Sequence, residues 1–238
     1  MKLMTAADAE QELNKHENPA DAVFLQRFFK TGKGEYGEDD IFIGLRVPQT
    51  RKIAKQFNNL ALPEIEKLLE SPVHEHRLAA LVIMTNQAKK ADDSHKKTLY
   101  DLYLKRTDRI NNWDLVDISC REVVGGYLMD KSRAPLYKLA KSKDLWERRI
   151  AMVSTWQFIR EGQLDDTFAI AELLLYDTHD LIHKAVGWML REAGKKDEAA
   201  LKEFLDARAI TMPRTALRYS IERLHPADKV RYMSARRG

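Results

Sequence analysis

Asn111-Asn112-Trp113-Asp114-Leu115-Val116-Asp117 carries the most chemistry in this chain. Trp113 and Asp117 are four residues apart, so on a helix they share one face. A tryptophan ring attracts a cation by roughly 0.5–2 kcal/mol, more where water is excluded. A carboxylate one turn away adds a full negative charge, so the pair suits a flat or positively charged group. Asp114 sits in the first turn, where the helix dipole alone favours an acid, and no chemistry is assigned to it. Asp117 lies a turn deeper, where capping no longer explains it. On the residues alone two readings stay open: an ion pair with a neighbouring arginine, or a site.

The segment is one of five that look alike. Arg77–Leu81, Trp113–Asp117, Arg149–Val153, Lys184–Trp188 and Arg214–Arg218 recur at a period in the mid-thirties, shortening at the last step. A shorter amphipathic stretch precedes each, as at residues 63–70 and 136–141. Two helices per repeat at this period predict an all-α fold, an α-α superhelix of HEAT-like repeats. The first and fifth positions then form two columns along the second helices: Arg77, Trp113, Arg149, Lys184, Arg214, and Leu81, Asp117, Val153, Trp188, Arg218. Leu81 and Val153 read as core, and Trp188 fits core or groove equally. Arg218 reads as groove, because arginine is rarely buried unpaired. Trp146 and Trp156 read as core. The basic column, with Arg148 and Arg191 beside it and further arginines crowding the C-terminus, matches the phosphate-binding footprint of a duplex reader.

Helix punctuation agrees with this reading. Asn18-Pro19 and Ser71-Pro72 read as an N-cap followed by proline, and Pro48, Pro63 and Pro135 stand just inside helix starts. No strand run is convincing. Residues 1–238 are expected to form one domain: a helical hairpin over about 6–30, a glycine-rich loop over 31–44, and repeats over about 48–235. Hydrophobic residues make up 44% of the 238, enough for a sizeable core, and the net charge of +4 permits a polyanion partner without proving one. Cys120 is the single cysteine, which excludes an internal disulfide and a cysteine-based zinc site. The first residues form no apolar signal core, and no run is long enough to span a bilayer. A cytoplasmic location follows as an expectation.

Two literal motifs lack their context. Gly32-Lys-Gly-Glu-Tyr-Gly37 spells a dinucleotide fingerprint, but a helix precedes it where a strand is needed, and acids follow it. His179 and His183 are spaced like a zinc pair, but no third ligand is identifiable. No metal and no cofactor is expected.

At Trp113-Asp-Leu-Val-Asp117, Trp146-Glu-Arg-Arg149-Ile-Ala and Ile182-His-Lys-Ala-Val-Gly-Trp188-Met-Leu-Arg191-Glu the chain resembles the DNA alkylation-repair glycosylases of the AlkD type. Gly44-Leu-Arg-Val-Pro48 with Arg51-Lys52 resembles that family's entry to its third helix. The resemblance implies that Asp117 is the catalytic aspartate, with Trp113 and Trp188 as lesion-contacting aromatics. It implies that Arg149 and Arg191 bind DNA backbone. Phe28 stands where the family type has a tyrosine, which keeps the aromatic face and loses the hydroxyl. Arg148, Lys184, Arg214, Arg218 and Phe28 complete the expected DNA-binding set. The implied activity is excision of cationic alkylated purines from duplex DNA without base flipping. Separately, the protein is expected to be a monomer with no membrane partner, associated with the nucleoid when bound to DNA. The rival readings are a non-catalytic binder of damaged or branched DNA on the same scaffold, and a repeat scaffold that binds protein.

Overall fold

The computed structural model describes residues 4–234, and every regular element among them is helical. The one strand-like pairing in that range is an isolated bridge between Ile41 and Val73. Helix α1 is Ala6–Asn14, and α2 is Pro19–Phe28. Thr5 and Asp8 cap α1 reciprocally, and the Asn18 side chain accepts from the Asp21 N–H at the start of α2. Residues 31–44 run as turns to α3, Val47–Ala54, and α4 is Leu62–Leu69. Then come α5, His74–Ala88; α6, Asp93–Lys105; and α7, Trp113–Cys120. Helix α8 is Ala134–Ala140, α9 Leu145–Ser154, α10 Trp156–Arg160, α11 Asp165–Leu174, α12 Asp180–Gly194, α13 Glu198–Arg208, α14 Arg214–Ser220 and α15 Pro226–Ser234. Pro48, Pro63 and Pro135 occupy the first turns of α3, α4 and α8, where a missing N–H costs nothing.

All five recurring segments fall on helices: α5, α7, α9, α12 and α14. The chain divides into two compact units, one ending at Tyr127 and the other beginning at Leu128. In the first, α5 is the hub. Residues 74–85 are all buried, against α3, α4 and α7. Helix α7 runs on into a π-helical turn, Arg121–Gly125, which packs on α5 and α6. In the second unit α12 is the hub, touching α9, α11, α13 and α14. Gly187 permits the tightest of these approaches, since a Cβ there would lie 2.5 Å from the Ala216 carbonyl oxygen. That explains why a glycine interrupts the Lys184–Trp188 segment.

One helix start differs from the sequence expectation. Ser71-Pro72 does not begin α5, which starts at His74 with Val73 as its cap residue. The Pro72 carbonyl accepts from Ile41 N–H, and His74 N–H donates to the Ile41 carbonyl. The loop over 31–44 claims this backbone before the helix can. Its far end is fixed by Glu75, whose carboxylate accepts from the N–H groups of Ile43, Gly44 and Leu45. Gly44 has φ of +90°, and a Cβ there would stand 2.1 Å from the Asn18 carbonyl oxygen, so only glycine fits.

Candidate functional site

Helix α7 begins on Asn112, whose side-chain oxygen accepts from Trp113 N–H at 2.8 Å. That cap sets Trp113 as the first helical residue and places Asp117 one turn along the same face. Both side chains are half-buried. The Trp113 indole stacks on Phe29 with 5.2 Å between centroids and meets Phe28 edge-on at 6.0 Å. Phe29 stacks in turn on Phe42 at 5.1 Å, and Phe42 on the His74 ring at 4.4 Å. Leu25, Phe29 and Phe42 form a buried cluster with Trp113 against it. One side of the indole is therefore fixed by packing, while Phe28 beside it is 53% exposed.

The second unit holds the rest of the sequence-predicted set. Trp188 is half-buried on α12, with Trp156 edge-on at 5.0 Å. Trp156 is thus only half-buried and shares an indole pair, where the sequence suggested core; Trp146 is buried as expected. Arg149 is 5% exposed and donates to the Leu181 carbonyl at 2.6 Å. Arg148 pairs with Asp177 at 2.6 Å and donates to the Ser142 and Lys143 carbonyls. Lys184 pairs with Asp180 at 2.8 Å, and Arg191 with Glu222. Arg214 and Arg218 are exposed on α14, and Arg214 donates to the Met233 carbonyl. Leu81 and Val153 are core, as read from the sequence despite their place in the groove column. Arg236 and Arg237 lie outside the described residues. His179 caps α12, and the His183 ring bonds the Asp177 carbonyl. Among the described residues no group of three or more His, Cys, Asp or Glu is placed to hold a metal ion, and no helix is long and apolar enough to cross a membrane.

Comparison with known proteins decides the kinship. The profile of a family described as "DNA alkylation repair enzyme" matches residues 9–224. The chain belongs to this family. Its fold is also that of a solved structure, "Predicted DNA alkylation repair enzyme from Enterococcus faecalis". The two share 17% identity at a TM-score of 0.69, over 88% of this chain and 97% of that one. A search of curated proteins gives no match. A DNA repair role follows from the family, and DNA is the partner that role implies.

In this member of the family, the sequence alone does not reveal what lies under α7. Arg77 does not join the basic column: it is 2% exposed, because α5 is buried all round. Its guanidinium bonds the Asp40 carboxylate, the Ser71 and Pro72 carbonyls and the Asn111 side chain. His74, one turn before it, lies between two carboxylates. Nε2 is 2.8 Å from Asp114 and Nδ1 is 3.2 Å from Asp40. Asp114 therefore does more than complement the helix dipole: it ties the first turn of α7 to α5. Two cations and two anions balance in a dry interior. A histidine and an arginine at i, i+3 leading directly into the apolar run Leu78–Met84 were the available signal, since buried cations demand acids.

The two buried histidines of α5 titrate in opposite directions. Burial alone would push His74 down, but Asp114 and Asp40 outweigh it and raise its pKa to about 9. Its contribution to stability is complete below the ordinary value of 6.5 and fades as pH rises through about 9. Burial, reinforced by the charge on Arg77, lowers His76 to about 4. Between 6.5 and 4 the unfolded chain takes up a proton that folded His76 refuses, so stability falls as pH falls through that window. Melting temperature is expected to peak near the ordinary histidine pKa, about 6.5, and to decline on both sides. His76→Gln should flatten the acid limb and spare the alkaline one. An unaltered acid limb in that variant refutes the assignment.

Proposed function

We propose that this protein is a DNA N-glycosylase that removes cationic alkylated purines, of the 3-methyladenine and 7-methylguanine type, from duplex DNA. One observation carries the reading: a half-buried carboxylate, Asp117, stands a single helical turn from Trp113, an indole buttressed from behind by Phe29 and Phe42. A deoxyribose bearing a cationic base would lie along that pair.

The chemistry needs little more. N-alkylation gives the base a positive charge, so when the N-glycosidic bond breaks its electron pair passes to the base nitrogen and a neutral heterocycle departs. No general acid is required. The sugar becomes an oxocarbenium ion, and the Asp117 carboxylate steadies that charge more in the transition state than in the ground state. Water then adds to C1′, loses a proton to Asp117 and so to solvent, and leaves an abasic site. The Trp113 face favours the cationic base over a neutral one, so selection follows the leaving-group charge and needs no deep pocket or base flipping.

In this reading Trp188 offers a second aromatic face, and Phe28 an apolar edge beside Trp113. Arg148, Lys184, Arg191, Arg214 and Arg218 are the phosphate-contacting set, with Arg214 and Arg218 the most accessible; Arg149, expected among them, is buried and holds the Leu181 carbonyl instead. The test is chromatographic. Purified protein incubated with methylated duplex DNA is expected to release free 7-methylguanine and 3-methyladenine and to leave abasic sites. Tight binding to that duplex with no freed base would replace the enzyme by a non-catalytic damage binder.

A further inference from the structure

Helix α2 carries three large apolar side chains in water: Val23 at 68% exposure, Phe24 at 51% and Phe28 at 53%. Phe28 has a place beside Trp113. Phe24 has none in the cluster under that indole, which is built from Leu25, Phe29 and Phe42. Its ring lies one helical turn before Phe28, 6.1 Å away and within 12° of parallel. The Arg46 guanidinium stands 4.8 Å from its centroid, and Asp21 pairs with Arg46 at 2.6 Å. Phe24 thus extends the line from Trp113 through Phe28 by one more ring and ends it at the Arg46 guanidinium of an ion pair.

We infer that Phe24 is a stacking site for an unpaired nucleobase, so that α2 holds an extrahelical nucleotide beside the proposed lesion contacts. Every base presents a π face to an aromatic ring, whatever its sequence. The charges on α2 suit the phosphates that come with such a base. Arg27 is exposed on the same helix and Lys30 just beyond its end, and the helix's one acid, Asp21, is occupied by Arg46. A second copy of the chain is a poor occupant, since it would press Arg27 and Lys30 against their own like. The inference rests on DNA being the partner and not on Asp117, so it can fail while base release stands.

Undamaged duplexes carrying one bulged 2-aminopurine, and fully paired duplexes of the same sequence, provide the test. The protein is expected to bind the bulged duplex more tightly and to quench the 2-aminopurine fluorescence. Phe24→Ala should lose roughly tenfold or more in affinity for the bulge, with affinity for the paired duplex and the melting temperature unchanged. Phe24→Trp should restore both binding and quenching. Equal affinities in wild type and Phe24→Ala would overturn the site, as would an equal loss on both duplexes. A dimer in sedimentation that Phe24→Ala dissociates would give the face to a second copy instead. Because no base leaves these substrates, a negative result here is distinct from failure of the glycosylase reading, which methylated duplex reports separately.

Discussion

Asp117→Asn is expected to abolish most base release while leaving DNA binding intact or stronger. The substitution keeps the size of the side chain and removes its charge. Losing one electrostatic contact aimed at transition-state charge costs about 100- to 1,000-fold in rate. The phosphates move the other way, because deleting an anion beside them lessens repulsion. Single-turnover release of 7-methylguanine should therefore fall steeply while Kd for the same duplex stays level or drops. That split is informative. A variant that had merely lost its fold would lose both, and a variant whose carboxylate only paired with a neighbour would lose neither. Full-rate release by Asp117→Asn removes Asp117 from the mechanism.

Arg77→Met is expected to give the largest loss of stability. Arg77 and Asp40 are both buried and bonded to each other, with His74 and Asp114 completing the set. Removing one member leaves a carboxylate in a dry interior without its full complement of positive charge, a defect worth about 3–5 kcal/mol. For a chain of this size that corresponds to a drop of roughly 10 °C in Tm. Replacing both partners, as in Asp40→Asn with Arg77→Met, should recover part of the loss, because the uncompensated charge is gone. Thermal unfolding of the two single variants and the double variant reads the coupling directly. If Arg77→Met melts with the wild type, the cluster is not a source of stability.

The repeats were legible because their signal is local and periodic. Apolar spacing and the prolines at 48, 63 and 135 act within a turn or two of where they stand, and the five recurring segments land on helices. Trp113 and Asp117 were legible as a pair for the same reason: positions four apart on a helix share a face. Arg77 was misread because it occupies the same position in its segment as Trp113. Repeat position does not encode how deeply a given helix is buried, and α5 is covered on every side. The start of α5 was misplaced for a related reason, since the backbone at Pro72 bonds Ile41, some thirty residues earlier. Asp40, His74 and Asp114 are separated by 34 and 40 positions. Nothing in the spacing of three such ordinary residues announces that they meet.

Their meeting has a consequence for how the protein can be cut or altered. The segment before the first repeat supplies Asp40 and Phe42 to α5, while Glu75 holds that segment's backbone in return. A chain trimmed to its repeats would thus strand His74 and Arg77 with a single acid between them and uncover the back of Trp113. The leading hairpin and its loop are integral to the scaffold, and changes in the one are tolerated only alongside changes in the other.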